Sequence, residues 1–177
     1  KSKRPFAKKS LGQNFLIDEN YINKIVDSLD LTAADTVIEI GPGRGALTEK
    51  LVEKAGKVIA IELDRDFVPA LRVQFFANKN FEVIEEDALE IDFAQFKISD
   101  AKIKLVANLP YYISTAILQR LIEQNQVFGE MVLMLQREVV ERISAKVGNS
   151  ERGFLTVLVE QNFESEKLFD VPPSAFK

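Results

Sequence analysis

Five short apolar runs between residues 36 and 136 alternate with segments of helical spacing, and this alternation limits the folds open to the chain. The runs are "TVIEI" (36–40), "KVIAIE" (57–62), "FEVIEE" (81–86), "IKLVAN" (103–108) and "MVLMLQ" (131–136). Near-continuous apolar runs suit strands that helices bury from both sides. The pattern predicts an α/β domain with a mostly parallel sheet and helices on both faces. Helices are expected from an Asp18 cap to about Leu29, from Leu47 to Gly56, and from about Asp66 to Phe76. Two more are expected after a Ser114 cap and around Val139, Val140 and Ile143. "FLTVLVEQNF" (154–163) reads as a sixth strand and "KLFDV" (167–171) as a seventh. No full helix separates those two, so an antiparallel edge strand is expected. Seven strands within 177 residues fit a single domain.

Missing residue types narrow the chemistry. The chain has no Cys, which removes disulfides, thiolate metal sites and a Cys nucleophile, and fits a cytoplasmic setting. It also has no His, which removes the commonest general base, the commonest zinc ligand and any Ser-His-Asp triad. No metal site is expected. No apolar run reaches membrane-spanning length, and no secretion leader is visible. Charge is uneven. "KSKRPFAKK" holds five of the 23 basic residues and no acid, leaving 18 basic against 27 acidic residues elsewhere. A basic arm on an acidic body is one way to meet a nucleic acid; a solvated tail is the other.

In open α/β sheets, ligands sit beyond the carboxyl ends of the strands, near the point where strand order reverses. Residues that follow each run are therefore the candidates. "GPGRGA" (41–46) follows the first. Gly41 and Gly43 allow close backbone approach, and the helix behind them offers free N–H groups. The string also satisfies G-x-G-x-x-A and does not by itself separate NAD from another adenosine cofactor. Glu62 ends the second run, 21 residues after Gly41, where an acid accepts ribose hydroxyls. Asp87 follows the third run and is placed to accept an exocyclic amine.

"NLPY" (108–111) follows the fourth run and is the most specific signal. Pro110 has no N–H and pushes Leu109 into an extended conformation, so the Leu109 carbonyl is expected to point outward unpaired. The Asn108 side-chain oxygen is a second acceptor. Two acceptors match the two hydrogens of an exocyclic NH2 group. Tyr111 offers a ring on which a base can stack.

The combination of "GQNFL" (12–16), "EIGPGRGALT" (39–48), "IELD" (61–64), "EEDALE" (85–90), "NLPYYIST" (108–115) and "LMLQREVVERI" (133–143) resembles the ribosomal-RNA adenine N6,N6-dimethyltransferases. With "KKSLGQNFLID" in front, it looks more like the small-subunit branch than the macrolide-resistance branch. The resemblance implies a Rossmann-like class I fold, S-adenosyl-L-methionine as cofactor, and dimethylation of two adjacent adenosines in small-subunit rRNA. The implied partner is the immature small ribosomal subunit, met by a monomer and away from any membrane. Matching positions would give cofactor contacts at Asn14, Leu16, Gly41, Gly43, Glu62, Asp87 and Asn108. Catalytic contacts would be Asn108, Leu109, Pro110 and Tyr111, with Phe176 covering the second face of the base. Lys8, Lys9 and Arg137, and further out Arg142, Lys146 and Arg152, are candidates for the RNA surface. Residues 1–17 would form a basic arm and cofactor loop. Relatives continue past "VPPSAFK" into a small helical domain, so residues 1–177 would correspond to the catalytic domain.

Other readings are a DNA adenine N6-methyltransferase, which uses a similar Asn-x-Pro-aromatic device, and a non-catalytic nucleic-acid-binding relative. An NAD-dependent oxidoreductase is weakened by the lack of any hydride-transfer acid or base.

Overall fold

The computed structural model describes residues 14–97 and 101–177. Its elements in chain order are α1 (Glu19–Asp27), β1 (Thr36–Ile40), α2 (Ala46–Lys54), β2 (Lys57–Glu62), α3 (Phe67–Gln74), β3 (Phe81–Glu85), β4 (Ile103–Asn108), α4 (Ser114–Glu123), β5 (Phe128–Met134), α5 (Arg137–Ile143) and α6 (Phe154–Glu160). The five strands form one parallel sheet in the order β3-β2-β1-β4-β5. The chain builds outward from β1 to β3 on one side, then crosses to β4 and β5 on the other. The reversal lies between β1 and β4, and it opens a crevice at their carboxyl ends.

Alternation along the strands divides the core. Ile38 and Ile40 of β1, Ile59 and Ile61 of β2, and Leu105 and Ala107 of β4 pack with Ile117 and Leu121 of α4 and with Phe93 and Phe128. On the other face Val37, Val58, Val106 and Val132 pack against Ile22, Ile25, Val26 and Leu29 around α1 and Leu47 and Leu51 of α2. Ala60 and Val83 meet Phe67, Val68 and Leu71 of α3. By the two-residue period, Glu39, Glu62 and Asn108 fall on the α1–α2–α3 face, near or at the carboxyl edge.

Helix ends are satisfied locally. Asp18 caps α1 by accepting from the Asn20 N–H at 2.9 Å, as its sequence position predicts. Asn80 donates to the carbonyls of Val52 (3.0 Å) and Ala55 (2.9 Å), closing the end of α2. Lys104 donates to the carbonyls of Leu29 (2.7 Å) and Asp30 (2.9 Å) behind α1.

Several expectations need correction. The sheet among the described residues has five strands, not seven. Residues 154–160 are helical: Leu155 and Val159, four apart, bury against Leu118 and Ile122 of α4. A β-branched apolar run carries both periods, and packing on α4 selects the helical one. Residues 167–171 form no strand. Phe169 and Val171 pack singly against the α1–α2 layer, while Lys167 pairs locally with Asp170 at 2.8 Å. The expected antiparallel edge reduces to one isolated bridge, Leu16 with Phe176. The fifth strand begins three residues earlier than its apolar run, at Phe128. Ser114 does not cap α4; its hydroxyl donates to the Tyr111 carbonyl at 3.2 Å, and Ile113 holds the cap position.

Between α2 and β2 the chain turns tightly at Gly56. A Cβ there would overlap the Ala33 carbonyl oxygen, which is main chain and has no rotamer to give way. Gly56→Ala is therefore expected to destabilise the domain by about 2 kcal/mol or more, read as a lower urea midpoint at unchanged slope.

Candidate active site

β1 and β4 end beside each other, Ile40 opposite Ala107, so the glycine turn and "NLPY" leave the sheet side by side. Above them lies a cavity of about 890 Å³. It is lined by Asn14, Leu16, Gly41, Gly43, Glu62 and Asp87, and also by Asn108, Leu109, Pro110, Tyr111, Arg137 and Phe176. Residues 14 to 176 in sequence thus meet around one space. Lys8, Lys9 and the first part of "GQNFL" lie outside the described residues.

The glycine turn is held from β2. Gly41, Gly43 and Gly45 all have positive φ, at 70°, 53° and 80°. Glu62, 6% exposed, accepts from the Gly43 N–H at 3.0 Å and from the Asp64 N–H at 2.8 Å. Burial raises the Glu62 carboxyl above its ordinary range, opposed by these two N–H groups. Each carboxylate oxygen still has a lone pair for a further donor. A Cβ at Gly43 would sit 3.0 Å from the Phe15 ring, so the turn is bare backbone against an aromatic plate. Phe15 meets Phe67 edge-on at 5.6 Å between centroids, and the Arg44 guanidinium lies over it at 4.2 Å.

Asp87 accepts from the Leu89 N–H at 2.9 Å, which folds the loop after β3 so that Asp87 and the buried Ala88 both reach the cavity. Asn108 donates its Nδ2 to the Asn14 carbonyl at 3.2 Å. Among the described residues nothing donates to its Oδ1 or to the Leu109 carbonyl, while the Leu109 N–H is used by the Met134 carbonyl at 3.2 Å. Pro110 begins a turn that the Ile113 N–H closes at 3.3 Å. The exposed turn carries Tyr111 and Tyr112, each 59% accessible. A strand end thus presents two acceptors and an open ring.

The basic candidates divide. Arg137 borders the cavity and faces Asp170 at 3.5 Å, with Lys167 on the same carboxylate. Arg152 is committed inward, to Glu160 and to the Ala145 carbonyl at 3.0 Å, so it supports the α5–α6 junction rather than a free basic surface. Phe176 is half-buried: its main chain pairs with Leu16, and it packs within the α1–α2 layer while bordering the cavity.

Sequence reasoning did not single out Glu39, Thr48 or Phe15. Glu39 is 2% exposed on β1 and accepts from the Thr48 hydroxyl of α2 at 2.6 Å. An acid inside an otherwise apolar strand was the available signal. Burial pushes its carboxyl up to about 7, with nearby Glu62 adding to the rise and Thr48 opposing it. A raised carboxyl contributes stability that is present below its unfolded value of 4.5 and lost as pH climbs towards 7. Glu39→Gln keeps an acceptor for Thr48 and removes the titration. Its stability relative to the parent is expected to rise between those pH values, by about 3 kcal/mol at most, measured by urea unfolding across pH.

A family model described as "Ribosomal RNA adenine dimethylase" matches residues 6–177. The chain is 46% identical over 172 residues to ribosomal RNA small subunit methyltransferase A of Halothermothrix orenii, covering 95% of this chain and 57% of that protein. Among solved structures, it is similar to a dimethyladenosine transferase from Plasmodium falciparum, with a TM-score of 0.73 and 34% identity over 82% of this chain and 52% of that one. It is similar too to the 23S rRNA methyltransferase ErmE, with a TM-score of 0.65 and 27% identity over 76% and 53%. The chain spans about three fifths of the length of the curated relatives it matches.

Proposed function

The chain belongs to the ribosomal RNA adenine dimethylase family, and on that premise we propose that it dimethylates N6 of two adjacent adenosines in small-subunit ribosomal RNA, using S-adenosylmethionine. The supporting observation is a pair of acceptors on adjacent residues, Asn108 Oδ1 and the Leu109 carbonyl, bordering the cavity that the glycine turn also borders. Two acceptors suit one NH2 group. Curated relatives at 44–46% identity carry the name of a small-subunit enzyme, which supports the small-subunit target.

The cavity's residues fit the proposed cofactor. Gly41 and Gly43 offer bare backbone at positive φ, Glu62 keeps lone pairs for vicinal ribose hydroxyls, and Asp87 offers a carboxylate for an adenine amine. Asn14 and Leu16 complete its wall. When bound, S-adenosylmethionine supplies a methyl group already activated on a sulfonium, so no His and no protein nucleophile are needed.

The chain's own work is positioning and electrostatics. Asn108 Oδ1 and the Leu109 carbonyl accept the two amine hydrogens, which draws the N6 lone pair out of the ring plane and aims it outward. Pro110 keeps the Leu109 carbonyl extended. Tyr111 stacks on the extruded base and offsets part of the cost of leaving the RNA stack. Phe176, at the cavity wall, takes the other face. After one methylation the amine retains one hydrogen, so one acceptor suffices to hold it for the second. The released proton passes to water. Arg137, freed from Asp170, and the basic arm with Lys8 and Lys9 meet the RNA backbone. On this reading the chain acts as a monomer on the immature small subunit in the cytoplasm. No helix of the described residues is long and apolar enough to cross a membrane.

Immature small subunits incubated with labelled methyl donor are expected to yield N6,N6-dimethyladenosine, and Asn108→Ala to lower that rate by about 100-fold or more. A different modified nucleoside, or full activity in the variant, overturns the reading. Glu62→Gln places an amide NH2 against the Gly43 or Asp64 N–H and should weaken S-adenosylmethionine binding by about tenfold or more in calorimetry.

A further inference from the structure

Asn108 has two ends, and the methyl-transfer chemistry uses only its oxygen. Its NH2 end donates to the main-chain carbonyl of Asn14 at 3.2 Å, 94 residues away in sequence. The opposite amide orientation would set Oδ1 against that carbonyl, acceptor against acceptor. The Asn14 carbonyl thus decides which end of the amide is left for a substrate.

That carbonyl is itself held in place. Phe15 and Lys177 exchange main-chain hydrogen bonds, N–H to carbonyl at 3.1 Å and 2.9 Å, and the Ile17 N–H donates to the Ala175 carbonyl at 2.8 Å. Leu16 and Phe176 form the centre of this antiparallel bridge. Phe15, 8% exposed, anchors the same strap on Phe67 and fills the space over Gly43. One four-residue strap therefore touches the amide, the glycine turn and the chain's last residues.

We infer that the Asn14–Ile17 strap is the positioning element for the Asn108 amide, and that the NH2 of Asn108 in turn holds the strap closed over the cavity. The amide is then more than an acceptor. A carboxylate, which has two acceptor oxygens and no donor, fails at position 108 because it faces the Asn14 carbonyl. Strap closure and amide orientation form one linked state, so binding to Asn14 or Leu16 also sets the polarity of the catalytic group. This rests on the proposed role of Asn108 as the acceptor for an adenine amine, but its test does not.

The test is hydrogen exchange at the N–H groups of Phe15, Ile17 and Lys177 in the parent, Asn108→Ala and Asn108→Asp, without cofactor or RNA. Both variants should exchange there about fivefold faster, as expected for the loss of one hydrogen bond. Asn108→Asp should be the faster of the two. Its protection should return as pH is lowered and the carboxyl takes up a proton that it can donate to Asn14, while Asn108→Ala shows no such recovery. Unchanged protection in both variants, or a pH dependence of protection (exchange relative to the intrinsic rate at each pH) shared by both, overturns the inference. Exchange elsewhere in the sheet serves as the control for folding. A parent chain that exchanges as expected but never methylates adenine would instead sink the functional reading and leave the strap coupling standing.

Discussion

One carboxylate ties the two halves of the cavity floor together. Glu62 closes β2, yet its oxygens bind the Gly43 N–H of the turn after β1 and the Asp64 N–H of its own loop. A turn with three glycines at positive φ has little reason to keep one shape by itself, since glycine gives up much conformational freedom on ordering. Glu62 supplies that reason from the neighbouring strand, and Phe15 supplies another from above. Burying an acid costs free energy, visible in its raised pKa, and two charge-assisted hydrogen bonds offset part of that cost. The same acid that shapes the turn keeps a lone pair on each oxygen for a further donor.

Parallel pairing explains why a few side chains suffice. Register aligns Ile40 with both Ile61 and Ala107, so the carboxyl ends of β2, β1 and β4 stop at nearly the same level. Alternation then places Glu39, Glu62 and Asn108 on one face, away from the Ile-rich layer that α4 covers. Chemistry lacking an imidazole depends on such alignment. Asn108 and Leu109 have no proton to take or give at neutral pH, so on the proposed function they would contribute direction and partial charge.

Much of this was legible in the sequence, and the gaps have identifiable causes. The five central strands and the residues after them were readable because apolar runs ending in Gly, acid or amide report burial and strand ends at once. Glu62, Asp87 and Asn108 stand at strand ends in the sequence, and all three border the cavity. The segment 154–160 misled because Val and Thr favour a strand locally, while Leu155 and Val159 dock on α4. Glu39 was overlooked because it lies inside a run rather than at its end, and its partner Thr48 lies in the next helix. The Asn14–Asn108 contact spans 94 residues and joins a side chain to a main-chain oxygen, a relation that no local pattern encodes.

The position of Asn14–Ile17 bears on how such a cavity can open. A ligand that large and polar enters more easily past a strap than through a sheet. The strap is tied by three main-chain hydrogen bonds to residues 175–177, by one amide contact, and by the buried side chains of Leu16 in the α1–α2 layer and Phe15 in the α3 layer. Opening the strap therefore costs the release of two buried side chains as well as these hydrogen bonds. Opening the strap would withdraw the Asn14 carbonyl and free the Asn108 amide to turn. Closing it would restore both together. On the proposed function, a site built this way would align its acceptors only when the strap is shut, which would limit methyl transfer to the closed state.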